Sequence, residues 1–213
     1  LYPILNSELQ QRYDRIAPEW NGPNYEGLRR DDLIPAILEM GQLVAGQNIL
    51  EAMSGTARLS QEVKKSFPTS DVYALDFSRG MLNVVPRGIH KVQASVIATP
   101  FLDKSFDRIF LRSAIYYVPQ RMQLKAMHEI RRILKDGGIW VLQTYHTTTQ
   151  TSEYLNNIVN IKDLASGQYL DMGQEQPRYF ALPEELEKWL NEAGLKIENT
   201  QNFEGVMRYM RTH

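Results

Sequence analysis

Apolar and polar positions follow two periods along the middle of the chain. Short β-rich runs predict strands over 48–51, 71–76, 91–94, 106–111 and 139–144. Ile109, Phe110 and Leu111 form a continuous apolar run, the pattern of a strand buried on both faces. Between the strands the period lengthens. Leu59, Val63 and Phe67 recur at every fourth position and predict a helix, and Met81 opens a short helical stretch closed by Pro86. Leu124, Met127, Ile130, Ile133 and Leu134 share one stripe, so 120–134 is expected as a long helix stopped by Gly137-Gly138. Residues 183–193 read as a helix, with Pro183 at its start and Gly194 just past its end. The last strand candidates are 195–197 and 206–210.

Strands alternating with helices predict an α/β fold, a doubly wound and mostly parallel sheet with helices on both faces. Residues 1–46 look helical in parts and are expected to cap the carboxyl rim of the sheet. Residues 147–182 are polar with scattered aromatics, including Tyr154, Tyr169 and Phe180, and are expected to form a lid after the fifth strand.

Composition narrows the classes. A chain of 213 residues buries roughly 70% of its unfolded surface, enough for one good core, so 1–213 is expected to be a single domain. Hydrophobic residues at 43% and charged residues at 23% rule out a disordered chain or a coiled-coil rod. Lys+Arg 24 against Asp+Glu 25 gives −1, with no basic stripe, so no nucleic-acid partner is expected. No apolar run is long enough to span a bilayer and no secretory pattern is seen, which predicts a cytoplasmic protein without a membrane partner, monomeric or homodimeric. Cysteine is absent, excluding disulfides and thiol catalysis. The four histidines, His90, His128, His146 and His213, are scattered, and no metal site is expected.

Ligands of such sheets sit beyond the carboxyl ends of the strands. The first turn, Glu51 to Arg58, has glycine only at 55, where a dinucleotide fingerprint needs it at 53, 55 and 58. Met53 and Arg58 would obstruct a pyrophosphate, which disfavours a nicotinamide-dependent oxidoreductase. Asp76 ends the second strand, 21 residues after Gly55. A carboxylate there can accept two hydrogen bonds from a ribose diol, and the alternative is a helix-capping Asp before Arg79.

Five segments in order carry a family resemblance. They are "ILEAMSGTARL", "YALDFSRGML", "VQASVIATPFLDKSFDRIFLRSAIYYVP", "EIRRILKDGGIWVLQTY" and "PEELEKWLNEAGLKI", with "YDRIAPEW" in the cap. Together they resemble the class I S-adenosylmethionine-dependent methyltransferases of the small-molecule type, from about Tyr13 to Met210. The resemblance implies a Rossmann-like, seven-stranded sheet, S-adenosylmethionine as cofactor, and methyl transfer to an O, N or C atom of a small organic acceptor. An alternative is a domain of the same fold that binds the cofactor without methylating.

The resemblance also implies residue roles. Glu51 would fix the first turn and meet the methionyl amine, with Met53, Ser54 and Gly55 passing beneath the cofactor. Asp76 would hold the ribose, Phe77 would lie against the adenine, and Ser95 and Val96 would meet its edge. Met81 and Arg112 would complete the cofactor contacts, and Tyr13 would cover the methionyl end. Met53 and Ala57 replace two of the family's glycines; Met53 is expected to lie aside, and Ala57 to cost little unless its φ is positive. Tyr117 stands where many relatives carry an acceptor-facing histidine. It and His146, which follows the fifth strand, are the candidate general bases. Trp20, Tyr25, Tyr116, Arg178 and Tyr179 are the candidate acceptor contacts, with packing of the cap or lid as the alternative for each aromatic.

Overall fold

The period-2 alternation within each strand decides which side of the sheet a residue serves. In β1 (Asn48–Ala52), Leu50 and Ala52 belong to one apolar cluster and Ile49 to another. In β4 (Phe106–Arg112), Ile109 and Leu111 join the first cluster and Phe110 the second. In β5 (Leu134–Thr144), Trp140 and Leu142 again oppose Ile139 and Val141. Each fully buried large apolar side chain contributes about 1.5–3 kcal/mol, so these strands are held from both faces. The remaining strands of the parallel half are β2 (Asp71–Asp76) and β3 (His90–Gln93).

This computed structural model describes residues 2–25, 30–144, 159–163, 168–171, 177–203 and 206–212. Five strands run parallel in the order β3-β2-β1-β4-β5, and β10 (Val206–Thr212) and β9 (Lys196–Phe203) extend the sheet antiparallel beyond β5. Helices α5 (Gln120–Ile133) and α6 (Pro183–Glu192) cover the first cluster. Helices α2 (Ile34–Gly41), α3 (Arg58–Ser66) and α4 (Arg79–Asn83) cover the second. The α/β class, the parallel Rossmann-like sheet and the helices on both faces are as the pattern predicts. The cap contains α1 (Tyr2–Ile16), two short 3-10 turns (Pro23–Tyr25 and Asp31–Leu33) and α2. Among the described residues no helix is long and apolar enough to cross a membrane.

Two expectations need correction. Helix α5 ends at Ile133, before the Gly137-Gly138 pair. Leu134 turns extended (φ −79, ψ 131), is fully buried, and pairs with Phe106, so burial of one leucine ends the helix and the glycines fall inside β5. The segment expected as a lid, 147–182, holds a small antiparallel sheet of β6 (Val159–Asp163), β7 (Gln168–Asp171) and β8 (Pro177–Tyr179). Its end is body rather than cover, because Tyr179, Phe180 and Ala181 are all buried.

The loop between β3 and β4 is clamped to α5. Glu129 Oε1 accepts from the Thr99 N–H (2.7 Å), the Thr99 hydroxyl (2.6 Å) and Arg132 Nη2 (2.7 Å). Arg132 also donates to the Phe101 carbonyl (2.9 Å) and to Asp103 (2.7 Å). These bonds, Arg132 first, hold the Glu129 carboxyl down at about 2. A depressed carboxyl contributes stability above its unfolded value near 4.5, and loses it as pH falls toward 2. Glu129→Gln is therefore expected to lower unfolding free energy by about 1–2 kcal/mol at pH 7, discounted for partial exposure. Urea titrations should show that deficit shrinking below pH 4.

Candidate functional site

The turn after β1 is built from left-handed backbone. Met53, Gly55 and Ala57 have φ of 53, 54 and 55. Only glycine takes this conformation freely; an L-residue there costs roughly 1–2 kcal/mol. Ala57 therefore meets the condition under which it was expected to be costly. Ala57 is fully buried in the second cluster, which offsets part of the strain. Met53 does not lie aside: it lines the cleft described below.

Asp76 ties this turn to the next one. Its Oδ2 accepts the Gly55 N–H (2.8 Å) and its Oδ1 the Ser78 N–H (2.8 Å). It is 5% exposed, and burial pushes its carboxyl up to about 6, with Glu51 and Asp14 adding to the rise and the two N–H bonds opposing it. Glu51, 2% exposed, turns toward α3, where its Oε2 accepts the N–H (2.8 Å) and hydroxyl (2.7 Å) of Ser60. Burial raises its carboxyl too, against the pull of Arg112. These bonds tie the end of β1 to the first turn of α3. Ser54 Oγ is buried and has no hydrogen-bond partner.

A small cleft, partly open to solvent, lies beyond the ends of β1, β2 and β3. Its walls are Leu9, Met53, Phe77, Ala94, Ser95, Val96, Tyr117 and Val118. Five of these, Met53, Phe77, Ser95, Val96 and Tyr117, were singled out by sequence. Tyr13 stands edge-on to Phe77 (6.1 Å between centroids) and to Tyr117 (5.8 Å). It also meets Trp20 at 5.8 Å, and Trp20 meets Tyr25 at 5.0 Å. The Trp20 ring reaches over Gly55: a Cβ at 55 would lie 3.9 Å from its Nε1. The cap aromatics therefore form one continuous roof.

Other candidates are placed elsewhere. Met81 is a core residue, 1% exposed, behind the N-terminus of α4 and outside the cleft walls. Tyr116 is buried against Phe180 (4.7 Å) and Tyr117 (4.8 Å). Tyr179 is 5% exposed, and its phenol bonds Glu185 (2.8 Å) and Gln120 (2.7 Å), so it braces α5 against α6 instead of facing an acceptor. Burial and the Glu185 carboxylate push that phenol up. Arg112, ending β4, bonds Asp31 of the cap at 3.2 and 3.3 Å. His146 and the side chain of Arg178 lie outside the described residues.

Sequence reading missed Asp14. Its Oδ1 accepts the Ser78 hydroxyl (2.6 Å) and the Gly80 N–H (2.6 Å), docking α1 on the first turn of α4. Glycine at 80 is required by the approach: a Cβ there would meet Asp14 Cα at 2.5 Å. Asp14 stood beside Tyr13 in the cap motif, but nothing local marks a partner 64 residues away. Gln143 was missed as well. It is fully buried near the end of β5, accepts the Ser113 hydroxyl (3.0 Å), and leaves its Nε2 without a partner.

An apolar cleft beside a buried carboxylate at adjoining strand ends suits a nucleoside, and comparisons with known proteins point the same way. A methyltransferase-domain model matches residues 49–138. The chain is 27% identical to the demethylmenaquinone methyltransferase of Renibacterium salmoninarum over 230 residues, covering 95% of this chain and 92% of that one. It is 36% identical to that of Geobacillus stearothermophilus over 151 residues, covering 66% of this chain but only 61% of the relative. An S-adenosylmethionine-dependent methyltransferase from Mesorhizobium loti shares the fold, with a TM-score of 0.70 at 18% identity over 84% of this chain and 96% of that one. The motifs, the sheet and these likenesses all indicate a class I S-adenosylmethionine-dependent methyltransferase, and the matched domain and the named relatives support an enzyme.

Proposed function

We propose that this chain binds S-adenosylmethionine in the cleft and moves its methyl group to a small organic acceptor. The observation that carries the reading is the buried Asp76 carboxylate beside the apolar walls of Phe77, Ala94 and Val96. The residues fit the cofactor. A carboxylate has about four acceptor sites, and the Gly55 and Ser78 N–H groups use two, leaving two for a ribose diol. Phe77 and Val96 would flank the adenine, with Ser95 at its edge. Ser54 Oγ, buried and unpartnered, is available to the amino-acid end. The relatives named as demethylmenaquinone methyltransferases and the cap's aromatic cluster favour a ring-containing small-molecule acceptor.

When bound, the sulfonium supplies an electrophilic methyl whose thioether leaves without protonation. The chain's own residues then orient and desolvate. Tyr13 and Trp20 exclude water from above, and Tyr117 bounds the acceptor side. Where the acceptor carries a proton a base must take it, and His146, two residues beyond β5 in sequence, is the residue proposed for it, with Tyr117 as the alternative.

Calorimetric titration with S-adenosylhomocysteine, with NADH as control, tests the cofactor, and micromolar binding of the first alone is expected. Asp76→Ala should weaken that binding by about 1.5–3 kcal/mol, and unchanged affinity in a folded variant would remove the ribose assignment. The pH profile follows from the Asp76 value near 6. A diol donates to the ionised form, so below pH 6 binding must expel a proton, and Kd should rise by up to about tenfold per pH unit. In the empty protein the sign is opposite. A raised folded value contributes stability below the unfolded value of 3.8, and that contribution is lost as pH rises through 6. His146→Ala should slow turnover while leaving S-adenosylhomocysteine affinity unchanged; a normal rate would exclude it as base.

A further inference from the structure

Both turns that donate to Asp76 are also gripped by the cap. On the second turn, Ser78 gives its N–H to Asp76 Oδ1 (2.8 Å) and its hydroxyl to Asp14 Oδ1 (2.6 Å). The same hydroxyl accepts the Met81 N–H (3.1 Å) and so caps α4. Asp14 Oδ1 also accepts the Gly80 N–H (2.6 Å), and the α1 backbone lies flush against that glycine, where a Cβ would meet the Asp14 carbonyl oxygen at 2.7 Å. On the first turn, Gly55 gives its N–H to Asp76 Oδ2 (2.8 Å). Its neighbour Thr56, 1% exposed, donates its hydroxyl to Asn21 Oδ1 of the cap (2.8 Å), and the Trp20 ring reaches over Gly55 itself. Each N–H donor on Asp76 therefore adjoins a hydrogen bond to the cap.

We propose that Asp14 is a positioning residue for the sugar of the ligand, seconded by the Asn21–Thr56 bond: the cap holds the two turns so that Asp76 presents its remaining acceptor sites to a diol, and docking of the cap is thereby coupled to sugar recognition. The proposal rests on the cofactor reading above. A diol chelates a carboxylate only when both acceptor directions are fixed, because hydrogen bonds weaken steeply as they bend. The Asp76 oxygens are aimed by two N–H groups, and those by their turns. Neither turn is stiff by itself. The first carries side chains on left-handed backbone at Met53 and Ala57, and strain of that kind persists only where the surroundings hold it. The second leads into α4, a helix of only five residues. Asp14 also engages the Ser78 hydroxyl, which otherwise stands two residues from Asp76 as a competitor for its acceptor sites. The two acids are close enough to act on each other by charge, since Asp14, after burial and Glu51, adds to the upward push on the Asp76 carboxyl.

The test compares S-adenosylhomocysteine with its 2′-deoxy analogue, which lacks one arm of the diol, by calorimetry on the full chain at pH 8. Asp76, with its value near 6, is ionised there with or without the Asp14 charge, so the comparison reads geometry. The unaltered protein should prefer the diol by about tenfold. Asp14→Ala should weaken S-adenosylhomocysteine by about tenfold and the analogue by no more than about twofold, so that the preference collapses. Asp14→Asn, which keeps an oxygen acceptor in place, should retain most of the preference. Thr56→Val, which removes the hydroxyl given to Asn21, should lower the preference in the same direction as Asp14→Ala. Thermal melts establish that each variant is folded, and Thr56→Val carries the comparison if Asp14→Ala is not. Equal losses for both ligands in Asp14→Ala would make the cap a roof only and would overturn the proposal. So would a preference undiminished in Asp14→Ala and Thr56→Val, or one lost as fully in Asp14→Asn as in Asp14→Ala; in each case the cofactor reading stands. If the unaltered protein binds both ligands equally, the ribose assignment of Asp76 fails and the proposal with it. If it binds neither, the cofactor reading fails as well.

Discussion

One buried carboxylate holds the site together. Asp76 accepts a backbone N–H from the turn after β1 and another from the turn after β2. Buried N–H groups must find acceptors, and tight turns at strand ends leave several pointing into the same space. A carboxylate satisfies two at once and staples two strands at their functional ends. Burying that charge costs several kcal/mol, and the carboxyl's rise to about 6 shows that two N–H donors do not offset it fully. A ligand offering hydroxyl donors would complete the solvation. The same imbalance that weakens the empty protein thus favours the occupied one.

The strained turn follows from the staple. Gly55 N–H reaches Asp76 only because the backbone at 53, 55 and 57 is left-handed. Glycine would take all three positions without strain, and this chain places methionine and alanine at two. Each side chain returns something for its strain: Ala57 fills the second core cluster, and Met53 gives the cleft an apolar, polarizable wall. The departure from the family's glycines is thus a local trade of backbone comfort for packing and lining, and it leaves the turn's hydrogen bonds in place.

The fold was legible where the signal was local and periodic. Strands β1, β2 and β4 lie within a residue of expectation because their burial on both faces is written in short apolar runs, Ile49-Leu50, Val72 to Leu75 and Ile109 to Leu111. The end of α5 fell within a residue of expectation, but its stop was misassigned, because a glycine pair is a strong local signal while the burial of Leu134 beside Phe106 is a tertiary fact. The site divides the same way. Residues at strand ends, such as Asp76, Phe77 and Val96, are fixed by topology once the strands are known. Tyr179 was misread because an aromatic in a polar stretch looks like a lid residue, whereas its phenol has two partners on α5 and α6 that no spacing reveals. Asp14 and Asp31 were invisible for the same reason, since their partners lie 64 and 81 residues away.

Those two acids explain how a cap can be both fixed and permissive. Asp14 anchors α1 through short bonds to a hydroxyl and a backbone N–H at the start of α4, against a glycine that admits no spacing. Asp31 anchors the other end through longer contacts to two arginines, with 24% of its side chain exposed. Between them the aromatic roof is held by edge-on ring contacts, each worth about 0.5–1.5 kcal/mol beyond area burial. The anchors are therefore unequal. Separating Asp31 from its arginines costs less than lifting Asp14 from α4, because the first exchange leaves partly exposed charges that solvent can satisfy.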